Sequence, residues 1–98
     1  MKNGKCYIAG KIGDLPQSVY EANFERAKEE VIALGYEPVS PVELEHNHDK
    51  SWNSYMKEDL RHLLNCKAVY AQRNWRLSPG ATIEINLALA VGINIIHQ

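Results

Sequence analysis

Lys5-Cys6-Tyr7-Ile8-Ala9-Gly10-Lys11-Ile12-Gly13-Asp14-Leu15-Pro16 is a short apolar run that turns abruptly into a glycine-containing loop. Lys5 to Ala9 is too brief for a helix and is rich in residues that suit a buried strand. Gly10 opens a loop that lasts to Pro16. Ser18 and Glu21 then have capping-box spacing, which predicts the start of a helix. Tyr20, Phe24, Ala27, Val31 and Leu34 recur at four and three, forming one helical stripe, and Gly35 suits the C-terminal cap.

The same strand–loop–helix unit repeats outward from there. Tyr36 to Ser40 reads as a second strand stopped by Pro41, and a polar loop ends near Ser51. A second helix carries Trp52, Met56, Leu60 and Leu63 on one face. Ala68 to Ala71 is a third strand and Gln72 to Leu77 a loop. Ser78-Pro79 is an N-cap followed by proline at the first helical position. The third helix runs to Val91, and after Gly92 the stretch Ile93 to His97 is the last strand.

Strands alternating with helices imply a parallel sheet with right-handed crossovers. The expected fold is α/β: a small flavodoxin/Rossmann-like three-layer sandwich, with four parallel strands in the order 2-1-3-4 and three helices, as one domain over residues 1–98. Such sheets bind ligands beyond the carboxyl ends of their strands, which points to the loops Gly10 to Pro16, Pro41 to Lys50 and Gln72 to Ser78.

Composition narrows the partners. The formal net charge is −1 and the lysines and arginines are scattered, which argues against a nucleic-acid surface. Ala88 to Ile96, the longest apolar stretch, is broken by Gly92 and Asn94 and is far too short for a membrane span. Cys6 and Cys66 lack metal-ligand spacing and read as buried thiols in a reducing compartment. With an N-terminal apolar run too brief for a signal peptide, the expectation is a cytoplasmic protein.

The third helix holds the residue with most chemical promise. Projected at 100° per residue, Thr82 and Asn86 share a polar side, whereas Glu84 falls among Gly80, Ala81, Leu87, Ala88 and Val91. A carboxylate amid small apolar neighbours is costly unless paired, and suits a nucleophile or general base beside a cavity. The competing reading is a rim glutamate that reaches water. Asp59 on the second helix could be a second carboxylate facing the same cleft, or a solvated helix charge. Tyr7 could project its hydroxyl from the first strand, or be a core tyrosine. Trp75 with Arg73 and Arg76 could clamp a base or phosphate, or pack on the last helix. His46 and His48, flanked by carboxylates, raise a metal site. They lack helical two-histidine spacing and a third ligand, so a solvated loop is the plainer reading.

Taken together, Tyr7-Ile8-Ala9-Gly10-Lys11-Ile12, Asn23-Phe24, Trp52 to Leu60 and Trp75 to Glu84 resemble the nucleoside 2-deoxyribosyltransferase-like superfamily, in particular its short bacterial and phage-borne branch. The resemblance implies cleavage or transfer of the N-glycosidic bond of a (deoxy)nucleoside or its 5′-monophosphate through a covalent glycosyl-glutamate intermediate, with no metal and no cofactor. It matches Glu84 to the nucleophile, Asp59 to the aspartate that assists departure of the base, and Tyr7 to the tyrosine that orients the nucleophile. Gly10, Lys11, Trp75, Arg76, Ser78 and Gly80 fall in its substrate-binding segments, Ser78 where nucleotide hydrolases of the superfamily carry a serine touching the 5′-phosphate. Lys11 replaces a small residue of those hydrolases, so a non-catalytic nucleotide-binding module with the same pocket is the alternative. The resemblance and the all-round apolar third helix both predict a homo-oligomer.

Overall fold

The structure, a computed structural model, describes residues 3–98. Strand β1 (Lys5–Ala9) leads into helix α1 (Gln17–Ala33), then β2 (Glu37–Val39), α2 (Trp52–Leu64), β3 (Ala68–Ala71), α3 (Pro79–Ala90) and β4 (Asn94–His97). Single 3-10 turns at Pro41–Glu43 and Trp75–Leu77 interrupt the loops after β2 and β3. Among the described residues the strands form one parallel sheet in the order β2-β1-β3-β4. This is the expected α/β order.

Each strand sends alternate side chains to opposite faces, so the sheet splits the core in two. Cys6, Ile8, Ala68 and Tyr70 pack with Phe24, Ala27 and Val31 of α1. Tyr7, Ala9, Val69 and Ala71 pack on the other face with Leu63 of α2 and Ala81, Ile85 and Ala88 of α3. Helix α1 therefore covers one face and α2 with α3 the other, the three-layer arrangement that right-handed crossovers produce for this order. Cys6 and Cys66 are both buried and free. No helix among the described residues is long and apolar enough to cross a membrane.

The helix ends follow local chemistry, with one correction. Helix α1 begins at Gln17, the Ncap position is Pro16 without a side-chain cap, and Ser18 lies inside the first turn. The expected capping box does not form, because the amides of Val19 and Tyr20 both bond to the Pro16 carbonyl and so start the helix before Ser18. At the other end, Gly35 at φ +90° lets the amide of Tyr36 reach the Val31 carbonyl, closing a Schellman motif. Helix α3 starts as its sequence predicts, with the Ser78 hydroxyl accepting from the Ala81 amide at 3.1 Å.

The stripe expected on α2 is also corrected. Leu63 is fully buried, but Trp52 is 56% exposed, while Asp59 is only 9% exposed. The N-terminal half of α2 overhangs the cleft rather than the sheet, so the side chain turned inward there is a carboxylate. Helix α3 buries Ala81, Glu84, Ile85 and Ala88 and leaves Ile83 and Leu89 exposed.

Candidate active site

A cleft of about 750 Å³ opens at the carboxyl edge of the sheet. The loop after β1, the start of α1, the loop after β2, one side of α2 and the first two turns of α3 line it. Two of the three expected loops thus border the cleft. The third contributes only its last residue, Ser78.

Glu84 lies on this wall and is 5% exposed. Tyr7, itself fully buried in β1, donates its hydroxyl to Glu84 Oε2 at 2.5 Å. Oε1 has no hydrogen bond among the described residues. Burial pushes the Glu84 carboxyl up to about 8, the Tyr7 hydrogen bond pulls against that, and the charge of Asp59 adds to the rise. Burial, and then the charge of Glu84, hold the Tyr7 phenol well above its ordinary value, so it remains a donor.

Asp59 enters the cleft from α2. Burial raises its carboxyl to about 6 against the opposing pull of His46. Its Oδ1 is buried without a hydrogen-bond partner. His46 Nε2 stands 3.8 Å from that atom. The loop carrying His46 is not a solvated strap: His46 and His48 join through their ring nitrogens at 3.0 Å and both pack on the Tyr55 ring, with centroids 4.7 and 4.6 Å away. No group of three or more His, Cys, Asp or Glu side chains able to hold a metal occurs among the described residues.

The remaining sequence-predicted residues divide. Gly10, Lys11, Ser78 and Gly80 line the cleft with Glu84 and Asp59. Gly10 allows a close approach, since a Cβ there would lie 2.4 Å from the amide nitrogen of buried Gln72. At Gly80 a Cβ would meet Met56 Sδ at 3.2 Å, so the small residue lets α2 and α3 converge. Lys11 Nζ donates to the Leu77 carbonyl at 3.0 Å, and its amide donates to the Asn74 side chain. Trp75 and Arg76 are not brought to the cleft. The Arg76 guanidinium stacks over the Trp75 ring at 4.5 Å, and Trp75 packs against the sheet cluster under α3. Arg73 lies in a separate small recess with Asn23, Arg26 and Glu30.

Sequence reasoning missed Ser40, Tyr55 and Met56 as lining residues and weighed His46 only as a metal ligand or part of a solvated loop. The Ser40 hydroxyl is buried without a partner just before Pro41. For His46 and Tyr55 a signal existed, in that two histidines precede a helix whose first turns carry Tyr55 and Asp59. Only the fold of the loop could say that these side chains converge.

Comparison with known proteins places this geometry. No curated protein sequence matches the chain. Among solved structures, a 2-deoxyribosyltransferase from Bacillus psychrosaccharolyticus superposes with a TM-score of 0.69 at 20% identity, covering 95% of this chain and 70% of that one. A 2-desoxiribosyltransferase from Leishmania mexicana gives 0.69 at 20% identity, covering 96% of this chain and 63% of its own. A conserved protein from Enterococcus faecalis V583 gives 0.69 at 21% identity, covering 96% and 62%. The chain thus spans roughly two thirds of each relative's length and has the 2-deoxyribosyltransferase-like fold. Residues 4–97 match the family described as a domain of unknown function (DUF4406), and the chain belongs to that family.

Proposed function

We propose that the cleft cleaves or transfers the N-glycosidic bond of a (deoxy)nucleoside or its 5′-monophosphate. The observation that carries this reading is the buried Glu84 carboxyl held by Tyr7 on the wall of a cleft large enough for a nucleoside. The two 2-deoxyribosyltransferases that share the fold support it. Glu84 Oε1 attacks the anomeric carbon, the carbon–nitrogen bond breaks, and its electron pair leaves with the base. Asp59 gives that base its proton. Water or an acceptor base then attacks the glycosyl-glutamate and frees Glu84. Tyr7 steers the nucleophile through Oε2 and disperses its charge. Chromatography for free base after incubation with deoxynucleosides and their monophosphates tests the reaction. Glu84→Ala should abolish base release while circular dichroism shows an unchanged fold. Nucleotide binding without release, in the unsubstituted protein, would assign a binding module instead.

The two carboxyls share one cleft and titrate near 6 and near 8. The reactive form has one proton between them, on Asp59, with Glu84 ionised; it is the minor of the two one-proton forms, since the Glu84 carboxyl is raised further than that of Asp59. Below about 6 both carboxyls hold protons and the nucleophile is lost; above about 8 both are ionised and the acid is lost. The pH profile of kcat/KM for base release should therefore be bell-shaped, with limbs near those values. Asp59→Asn should remove the alkaline limb. A profile flat from pH 5 to 9 contradicts the assignment.

The 5′-monophosphate is the favoured substrate. Ser78 caps α3 on the cleft wall, and because Pro79 has no amide hydrogen and Ala81 donates to Ser78, the donors left for an anion at this edge are the Gly80 amide, the Ser78 hydroxyl and Lys11. Ser78→Asp keeps an N-cap, so thermal stability should hold, while monophosphate affinity falls by about tenfold or more through charge repulsion. Equal calorimetric affinity of the unsubstituted protein for nucleoside and monophosphate would count against this assignment.

Self-association completes the proposal. Ile83 and Leu89 on α3, at 41% and 62% exposure, and Leu77 in the turn before it, at 68%, leave apolar surface that a second copy of the chain would cover. Light scattering should show a dimer or larger species at tens of micromolar, and Leu89→Glu should shift it toward monomer. A monomer before substitution would refute it.

A further inference from the structure

The loop after β2 ends in a chain of hydrogen bonds whose direction is set at both ends. The Lys50 backbone amide donates to His48 Nδ1 at 3.0 Å, so the neutral His48 ring carries its proton on Nε2. That nitrogen faces His46 Nδ1 at 3.0 Å and donates to it, which leaves the His46 proton on Nε2. From the other end, His46 Nε2 lies 3.3 Å from the Pro41 carbonyl, which can only accept, and the same tautomer results. The Lys50 ammonium on the His46 carbonyl and the Tyr55 ring against both imidazoles hold the loop in this arrangement.

The nitrogen that carries this proton, hydrogen-bonded to the Pro41 carbonyl, also stands next to Asp59. Of the two carboxylate oxygens, Oδ1 is buried and unpartnered, with His46 Nε2 at 3.8 Å. Oδ2 is not so enclosed, although Asp59 as a whole is only 9% exposed and lines the cleft. We propose that His46 is a positioning residue for Asp59: its Nε2–H, fixed by the Lys50–His48–His46 chain and resting on the Pro41 carbonyl, turns to Oδ1 as the carboxylate charge develops and so keeps the acid proton of Asp59 on Oδ2, the oxygen that reaches the substrate. This rests on the reading of Asp59 as the acid. During base departure the Oδ2 proton passes to the base nitrogen, which leaves with the glycosidic electron pair. The new carboxylate charge is met by the His46 Nε2–H, and His46 keeps its proton throughout. The other titratable groups around Asp59 are Glu58 and His62 on its own helix, Tyr7 from β1 and Glu84 from α3. The Lys28–Glu43 pair stands farther out on the cleft wall. Of these groups, only His46 presents a nitrogen within 4 Å of the Asp59 carboxylate among the described residues.

Nitrogen-15 NMR of the imidazoles and carbon-13 titration of the Asp59 carboxyl, both on the ligand-free protein, test this without relying on turnover. His46 and His48 should each show the Nε2–H tautomer at pH 7.5. His48→Ala should return His46 to a mixture of tautomers. His46→Phe removes the donor and should move the Asp59 titration upward by about one pH unit. His46→Gln, which keeps an N–H donor, should move it much less. Where base release is measurable, His46→Phe should lower kcat by about tenfold with little change in KM and shift the acid limb, the one near the Asp59 value, upward, and His46→Gln should restore part of both. A merely structural histidine would lower activity without moving that limb. An Nδ1–H tautomer at His46, or an Asp59 titration unchanged in His46→Phe, overturns the proposal. Failure of every substrate would count against the glycosidic reading, while the two NMR measurements would still decide the role of His46.

Discussion

The hydrogen bond from Tyr7 to Glu84 joins residues 77 positions apart and ties the central strand to the last helix. Burying an ionisable carboxyl among Ala81, Ile85 and Ala88 is costly, and a hydrogen bond to a charged group offsets about 1.5–3 kcal/mol of that cost. The bond forms only if β1 lies beside β3 with Tyr7 turned toward α3, and only if α3 presents its second turn to that strand. The strand order, the crossover handedness and the small residues on α3 all serve this one placement. A phenol held above its ordinary pKa remains a donor, so the partner that stabilises Glu84 also aims it.

Around that pair the cleft mixes apolar side chains such as Ile12, Phe24, Trp52 and Met56 with polar ones. Helix α2 turns Asp59 inward where its stripe would place a hydrocarbon, and the loop before it folds two imidazoles onto Tyr55. The walls hold two buried carboxyls, one raised to about 8 and one to about 6, with the histidine chain behind the second. Two acids in one partly dehydrated space repel each other when both ionise, and this favours a single shared proton. The proposed chemistry requires that state.

Much of the fold was legible from local pattern. Lys5–Ala9 and Ala68–Ala71 are strands at the residues that their apolar runs mark, and Ser78-Pro79 starts α3 where its cap chemistry says. Glu84 stood out because a carboxylate broke an apolar arc. The capping box at Ser18 failed because Pro16, immediately before the helix, supplied the carbonyl that its first amides needed. Of the two readings of Trp75 and its arginines, the packing one holds in this 3-10 turn: Trp75 packs on the sheet cluster under α3 and Arg76 stacks on the indole instead of entering the cleft, which a loop's sequence does not reveal.

By itself the sequence determined the alternation of strands and helices, the caps that end them and the presence of an acid inside an apolar helix. These depend on contacts between residues a few positions apart, and their periodicity is written along the chain. Only the tertiary structure decided that Tyr7 meets Glu84, that Asp59 is enclosed, and that a His46 ring nitrogen bonded to the Pro41 carbonyl comes to stand 3.8 Å from Asp59. The physical reason is distance along the chain. Direction and burial of a side chain are set by what packs against it, and for these residues the partners come from other strands, other helices and a loop whose own sequence reads as solvent-exposed.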